Sequence, residues 1–139
     1  MSAPSDDRRP EASARDLAAL QGDWEQVAFE ENGVANPPDE YGPQGALTTF
    51  HGNHFAVRAA DGTLLLEGSY TIDASTTPRA ITWVDAMGAD KGKPLLASYR
   101  LDGDDFVFIA ADPGEPRPTV FRTVPGLTMR TLVRQHLSR

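Results

Sequence analysis

Short segments in which apolar and polar residues alternate recur along most of the chain, and glycine- and proline-containing turns separate them. Alternation with a period of two is typical of strands that bury one face. The longest such segment runs from Thr63 to Asp73. Its apolar face is predicted to carry Leu64, Leu66, Gly68, Tyr70 and Ile72.

The same alternation predicts further strands at spacings of roughly ten residues. They are Asp23 to Glu31, Ala46 to His51, His54 to Ala59, Arg79 to Met87, Pro94 to Leu101, Phe106 to Ala111, Thr119 to Thr123 and Thr128 to Leu137. Several turns are tight, notably Gly52-Asn53 and the run Asp102 to Asp105. Strands joined in this way favour an all-β, antiparallel up-and-down barrel of about eight strands, because closure removes exposed edges. A two-sheet sandwich is the alternative.

Three segments lie outside the strand pattern. Met1 to Ala14 is rich in Pro, Ser, Ala and charge and is expected to be a disordered tail, which leaves one domain over residues 15–139. Arg15 to Leu20 has helix-forming residues and is predicted to cap the barrel mouth with one or two turns. The loop from Val34 to Gly45 is proline-rich and long enough for a lid over a ligand.

The triplet Gly22-Asp23-Trp24 opens the first strand, directly after the short helix. A glycine that frees the backbone, followed after one residue by a large aromatic, favours a tryptophan that plugs one end of a barrel. The closing strand carries Arg130 and Arg134. This entry motif resembles that of lipocalin-like barrels, in which an arginine of the closing strand typically lies across the first tryptophan. The resemblance implies that Arg134, or failing that Arg130, stacks on Trp24 as a cation–π pair.

An ordered series of short motifs strengthens the prediction of a barrel. It comprises Leu20-Gln21-Gly22-Asp23-Trp24, Asn32-Gly33, Phe50 to Phe55, Glu67 to Tyr70, Pro78 to Ile81, Ser98 to Asp104 and Arg117 to Phe121. The series resembles a large bacterial family of uncharacterised lipocalin-like domains of the calycin type. Ser98 stands where that family usually has isoleucine, and Ile109 where it commonly has cysteine. The resemblance implies a lipocalin-like β-barrel and carries no established activity.

Composition and charge exclude several classes of partner and site. A net charge of -7 argues against nucleic acid and anionic membranes as partners, because an acidic surface is repelled by both. The chain contains no cysteine, so disulfides, thiolate metal sites and cysteine nucleophiles are excluded. No signal-peptide-like segment stands at the N-terminus, and a cytoplasmic location is expected. The oligomeric state is left open.

Large side chains at inward strand positions are the candidate ligand-binding residues. Tyr70 and Tyr99 share faces with apolar neighbours, so each would bury its ring and still need a hydroxyl partner, which a ligand can supply. Trp83 lies on the same predicted face as Asp85, and an aromatic beside an inward carboxylate suits a cationic or hydroxylated ligand. The full candidate set is Phe50, Tyr70, Trp83, Asp85, Tyr99 and Phe108. Structural tyrosines are an equal interpretation of Tyr70 and Tyr99.

Other polar groups favour ordinary structural roles. His51 and His54 flank a turn, but a metal site would need His136, near the opposite terminus, and no metal or cofactor is expected. Asp102, Asp104 and Asp105 fit a hairpin better than a calcium loop. Arg117 is read as the partner of an acidic turn, with an anion clamp as the alternative.

Three functions remain. The first is binding of a small, mostly apolar or amphipathic molecule in the barrel interior. The second is a cofactor-independent cyclase or isomerase acting on a polyketide-like or terpenoid substrate in the same cavity. The third is a structural or interaction domain whose interior is filled. No catalytic motif of a known class stands out to separate them.

Overall fold

In the computed structural model, which describes residues 4–31, 33–35 and 45–135, one helix precedes nine strands. In chain order they are α1 (Pro4–Leu20), β1 (Gly22–Glu31), β2 (Val34–Ala35), β3 (Leu47–His51), β4 (His54–Arg58), β5 (Leu64–Asp73), β6 (Arg79–Asp85), β7 (Pro94–Asp102), β8 (Asp105–Ala111) and β9 (Leu127–Arg134). No helix within these ranges has the length and apolarity that crossing a bilayer requires.

Eight of the described strands form a closed antiparallel barrel. The strand order is β1-β3-β4-β5-β6-β7-β8-β9, and pairing of β1 with β9 closes the ring. The two-residue β2 pairs only with the end of β1. The predicted up-and-down, lipocalin-like barrel is thereby confirmed, and the sandwich alternative is wrong. Both predicted tight hairpins are also present, with His51 opposite His54 and Asp102 opposite Asp105.

Helix α1 lies against one end of the barrel and begins earlier than predicted, at Pro4 rather than Arg15. Proline is favoured at the first helical position. Asp16 anchors the helix because it accepts a hydrogen bond of 2.6 Å from the Tyr99 hydroxyl and pairs with Arg79 at 3.1 Å. These contacts join residues that are far apart in the sequence, so no local sequence pattern predicts them.

The half of the barrel next to α1 is filled with aromatic side chains. Phe50 packs edge-on against Tyr70 and Phe106, with ring centroids 5.1 and 6.0 Å apart. Phe106 also contacts Trp24 and Tyr99. All five rings are almost completely buried. This half of the interior is therefore a packed core.

The connection from β8 to β9 crosses the outside of the barrel. The prediction of a strand from Thr119 to Thr123 is wrong, because this segment forms no strand. Arg117 donates to the carbonyl oxygens of Ile81 (2.9 Å) and Ala97 (2.6 Å), and burial lowers its pKa. The buried Ser98 hydroxyl donates to the Pro118 carbonyl at 2.6 Å. These hydrogen bonds satisfy buried polar groups in a segment that does not pair with a strand. Strand pairing is disfavoured here because proline has no backbone N–H to donate.

Candidate functional site

Trp24 closes the helix end of the barrel as predicted. It is fully buried, and its Nε1 donates to the Leu20 carbonyl at 2.8 Å. The guanidinium carbon of Arg134 lies 4.3 Å from the Trp24 ring centroid. The same guanidinium donates to the carbonyls of Ala19 and Gln21. Arg134 therefore makes the predicted cation–π contact and also binds free carbonyls at the end of α1.

The opposite half of the barrel contains a cavity of about 280 Å³. Its wall is mainly aromatic and aliphatic, and its polar groups are few inside and more numerous toward the rim. The apolar wall includes Phe29, Phe55, Val57, Leu66, Trp83, Leu95, Phe108, Ala110 and Leu132, and the polar lining includes Gln26, Glu31, Thr48, Asp85, Asp90, Asp112, Thr128 and Arg130. An apolar wall with a small number of placed polar groups is the usual composition of a small-molecule site.

The six candidate ligand-binding residues divide between the two halves. Trp83, Asp85 and Phe108 line the cavity. The other three, Phe50, Tyr70 and Tyr99, lie in the packed aromatic half and are not among the residues that line it. Alternation along a strand predicts which side chains point inward, but it does not predict their depth along the barrel axis.

Both tyrosine hydroxyls have partners within the protein, which favours the structural interpretation of Tyr70 and Tyr99. Tyr70 donates to the Gly52 carbonyl at 2.7 Å, and Tyr99 donates to Asp16. Burial raises the pKa of Tyr70 to about 12 and also raises that of Tyr99, where the hydrogen bond to Asp16 contributes. These tyrosines tie α1 and the β3–β4 hairpin to the barrel, and they stay protonated at neutral pH.

Trp83, on the inward face of β6, is the central aromatic residue of the cavity wall. It packs between Phe55 and Phe108, whose ring centroids lie 5.1 and 4.8 Å away. Its side chain is 6% exposed, and within the described part of the chain its indole Nε1 has no hydrogen-bond partner. A buried donor without a partner is costly. This nitrogen is covered by protein atoms, so Trp83 lines the cavity through its other atoms.

Asp85 lies two residues further along the same face of β6. It is only 9% exposed, and its carboxylate makes no hydrogen bond or ion pair with the residues that the structure describes. Burial raises its pKa to about 6, and the negative charge of Asp90 adds to the shift. A carboxylate in this state can accept a proton, or it can attract a cation.

The wall opposite β6 carries Gln26, Phe29 and Arg130. The register of β1 against β9 shifts between Gln26 and Ala28, and this irregularity leaves both Gln26 and Phe29 buried. Arg130 donates to the Gln26 side-chain oxygen at 3.0 Å, and its guanidinium carbon lies 4.2 Å from the Phe29 ring centroid. The alternation pattern missed Phe29, because the bulge after Gln26 breaks the period of two. Gln26 was detectable, since it alternates with Trp24. Arg130 was detectable, since it alternates with Leu132.

The other polar candidates form no site within the described ranges. His51 and His54 are exposed, and the described residues contain no group of three or more histidine, aspartate or glutamate side chains placed to hold a metal ion. His136 lies outside the described residues. Arg117 donates to strand carbonyls and to the Thr82 hydroxyl. The negative charge of Asp73, at the end of β5, raises the pKa of Arg117 against the effect of burial, so the expected acidic neighbour is present.

The predicted lid falls largely outside the described residues, which omit positions 36–44 of the loop from Val34 to Gly45. The described residue Glu31, at the end of β1 before this loop, lines the cavity. The loop therefore leaves the barrel at the cavity end, and its role as a lid stays a prediction.

No protein-family model, curated protein or solved structure matches the chain.

Proposed function

We propose that this protein binds a small, mostly apolar molecule in the barrel cavity. The observation that carries the proposal is the cavity itself, whose wall is mainly apolar and includes Phe55, Trp83 and Phe108. A filled structural interior would leave no such space, whereas a small-molecule site requires it. The cavity volume of about 280 Å³ is close to the lower end of the usual range for ligand pockets, so the ligand is small.

An apolar fluorescent probe tests the proposal. Bound probe should quench the emission of Trp83, which lines the cavity, more than that of Trp24, which lies at the other end of the barrel. Replacing Ala110, a small residue of the cavity wall, by Phe should fill the space and weaken binding at least about tenfold, the loss expected for an apolar pocket contact.

Ala56→Phe is the matched control. Ala56 lies on β4 between Phe55 and Val57, which both line the cavity, so its side chain faces away from the interior. This variant should bind the probe like the parent. If the probe fails to bind the parent, or binds both variants equally well, the interior is closed to ligands and the structural-domain alternative replaces the proposal.

A cofactor-independent cyclase or isomerase is the second candidate, and Asp85 is the observation that favours it. A carboxyl group with a pKa of about 6 beside an apolar cavity is in the range of a general acid or base. Turnover of a polyketide-like or terpenoid substrate that is lost in Asp85→Asn would establish this alternative. Binding without turnover would leave the first.

The wider setting belongs to the same proposal. The motif resemblance to bacterial lipocalin-like domains agrees with a ligand-holding barrel, and the net charge of -7 supports a small molecule over nucleic acid or membrane as the partner. We propose a cytoplasmic location, because proteins of that reducing compartment rarely contain disulfides and this chain has no cysteine. Cell fractionation with an antibody tests the location.

A further inference from the structure

Negatively charged groups outnumber positively charged ones around the cavity. Among the described lining residues, four are acidic, and Arg130 is the one basic residue. The acidic ones are Glu31, Asp85, Asp90 and Asp112. A cavity lined mostly by one sign of charge raises the local concentration of ligands with the opposite sign.

Asp85 is the acidic residue that the barrel buries most deeply. A buried carboxylate costs free energy unless a cation or hydrogen-bond donors compensate it. The described groups around the Asp85 carboxylate supply neither a cation nor a hydrogen-bond donor. Its partner on β5 is Gly68, while Glu67 points outward. The β6–β7 connection contributes Asp90, which is also negative, and the Lys91 and Lys93 side chains of this connection are exposed. The adjacent inward position on β7 is the apolar Leu95.

Arg130 does not fill this role. In the strand order, β6 lies four positions from β1, so Asp85 stands across the eight-stranded ring from the wall of Gln26 and Phe29. The Arg130 guanidinium is engaged on that wall by the Gln26 oxygen and by the Phe29 ring. Glu31 lies on the same side, and Asp112 follows β8 at the rim.

We infer that the cavity selects a small protonated amine, with the ammonium group at the Asp85 carboxylate and the apolar body against Trp83, Phe55 and Phe108. The inference rests on the proposed function and names the ligand class. The aromatic rings support it, because their faces attract a neighbouring ammonium group while their area takes up the apolar body.

Three probes of the same shape test the charge preference: benzylamine, benzyl alcohol and benzoate. In calorimetric titrations at about pH 7.5, benzylamine should bind at least about tenfold more tightly than benzyl alcohol, and benzoate should bind most weakly. Asp85→Asn should remove the advantage of the amine and keep the binding of the alcohol. Glu67→Gln, which removes an outward carboxylate from the neighbouring strand, should keep the advantage.

The pH dependence provides a second readout. As the pH falls from about 7.5 to 5, Asp85 becomes protonated and benzylamine binding should weaken roughly tenfold, while benzyl alcohol binding should stay constant. In Asp85→Asn the amine should lose this dependence.

The two proposals fail differently. If benzyl alcohol or benzoate binds as tightly as benzylamine, the amine inference is overturned and the binding function stands. If the apolar fluorescent probe and all three small probes fail to bind, the binding function itself is wrong.

Discussion

Trp24 illustrates how one residue can fix one end of this barrel. Its ring is covered by the Arg134 guanidinium on one side and contacts Phe106 in the core, while its Nε1 holds the last residue of α1. The preceding Gly22 has a φ of 110°, a region that side chains disfavour, so the chain can turn from the helix into β1 only with glycine here. The Gly-x-Trp motif thus combines a backbone requirement with a packing requirement.

Truncation of this residue has a defined cost. Trp24→Ala should lower the free energy of unfolding by about 3 to 5 kcal/mol, since it removes the buried indole and leaves a cavity. Urea denaturation followed by circular dichroism measures the change. Trp24→Phe is the milder comparison. An alanine variant as stable as the parent would contradict the described role of Trp24 in closing the barrel.

Asp85 should make stability depend on pH in the absence of ligand. Its pKa is about 6 in the folded protein and 3.8 in its ordinary state, so the folded chain binds the proton more strongly. The resulting penalty is absent below about pH 4 and complete above about pH 7, where it reaches up to about 3 kcal/mol. The stability of Asp85→Asn relative to the parent should therefore rise across this range.

Parallel urea titrations at several pH values measure that difference, and Glu67→Gln serves as the exposed control. A difference between Asp85→Asn and the parent that is independent of pH would show that Asp85 is solvated in the folded protein.

At the scale of elements, the pairing of β5 with β6 depends on the absence of a side chain at Gly68. A Cβ atom built there would lie 2.1 Å from the Val84 carbonyl oxygen and 3.0 Å from Phe55 Cε1. The carbonyl belongs to the backbone of the neighbouring strand, so it cannot move away without disturbing the ladder. Gly68 is also the register partner of Asp85, which places this close approach beside the cavity.

Gly68→Ala should therefore destabilise the protein by about 1 to 3 kcal/mol, the usual cost of overpacking. It should also weaken probe binding, because β6 carries both Trp83 and Asp85. Thermal unfolding and probe titration measure the two effects. Gly103→Ala is the clash-free comparison, because the Cβ position there is open, and its φ of 60° adds a backbone cost that Gly68 does not have. Equal stability of Gly68→Ala and the parent would contradict the described strand spacing.

For the whole molecule, the barrel divides along its axis into a packed half and a half that contains the cavity. The half next to α1 is packed with aromatic rings, and its polar atoms are paired with the helix and the hairpins. The other half keeps the cavity and the unpartnered Trp83 Nε1. Rigid packing at one end can hold a binding wall in place at the other, as preorganised sites require.

Stability of the whole barrel should not depend on a metal ion. Its described core is built from apolar side chains and closed strand ladders. Dialysis against a chelator should leave the melting temperature unchanged. A large drop would instead revive the paired-histidine interpretation, and His51→Ala would then be expected to abolish the metal effect.

The sequence alone predicted whatever depends on local periodicity. Alternation along β5 and β6 placed Tyr70, Trp83 and Asp85 on inward faces, and the turn residues predicted both tight hairpins. The local Gly-x-Trp motif predicted a tryptophan at the start of β1. These features follow from backbone geometry and side-chain size, which neighbouring residues determine.

The tertiary structure alone decided how deep each inward residue lies and which polar atoms are paired. Tyr99 reaches Asp16 on the helix, whereas Trp83, equally inward, faces the cavity, and no local pattern distinguishes the two. The irregular register in β1 likewise turns Phe29 toward Arg130. Depth, bulges and long-range partners arise from strand stagger and ring closure, which involve residues far apart in the chain.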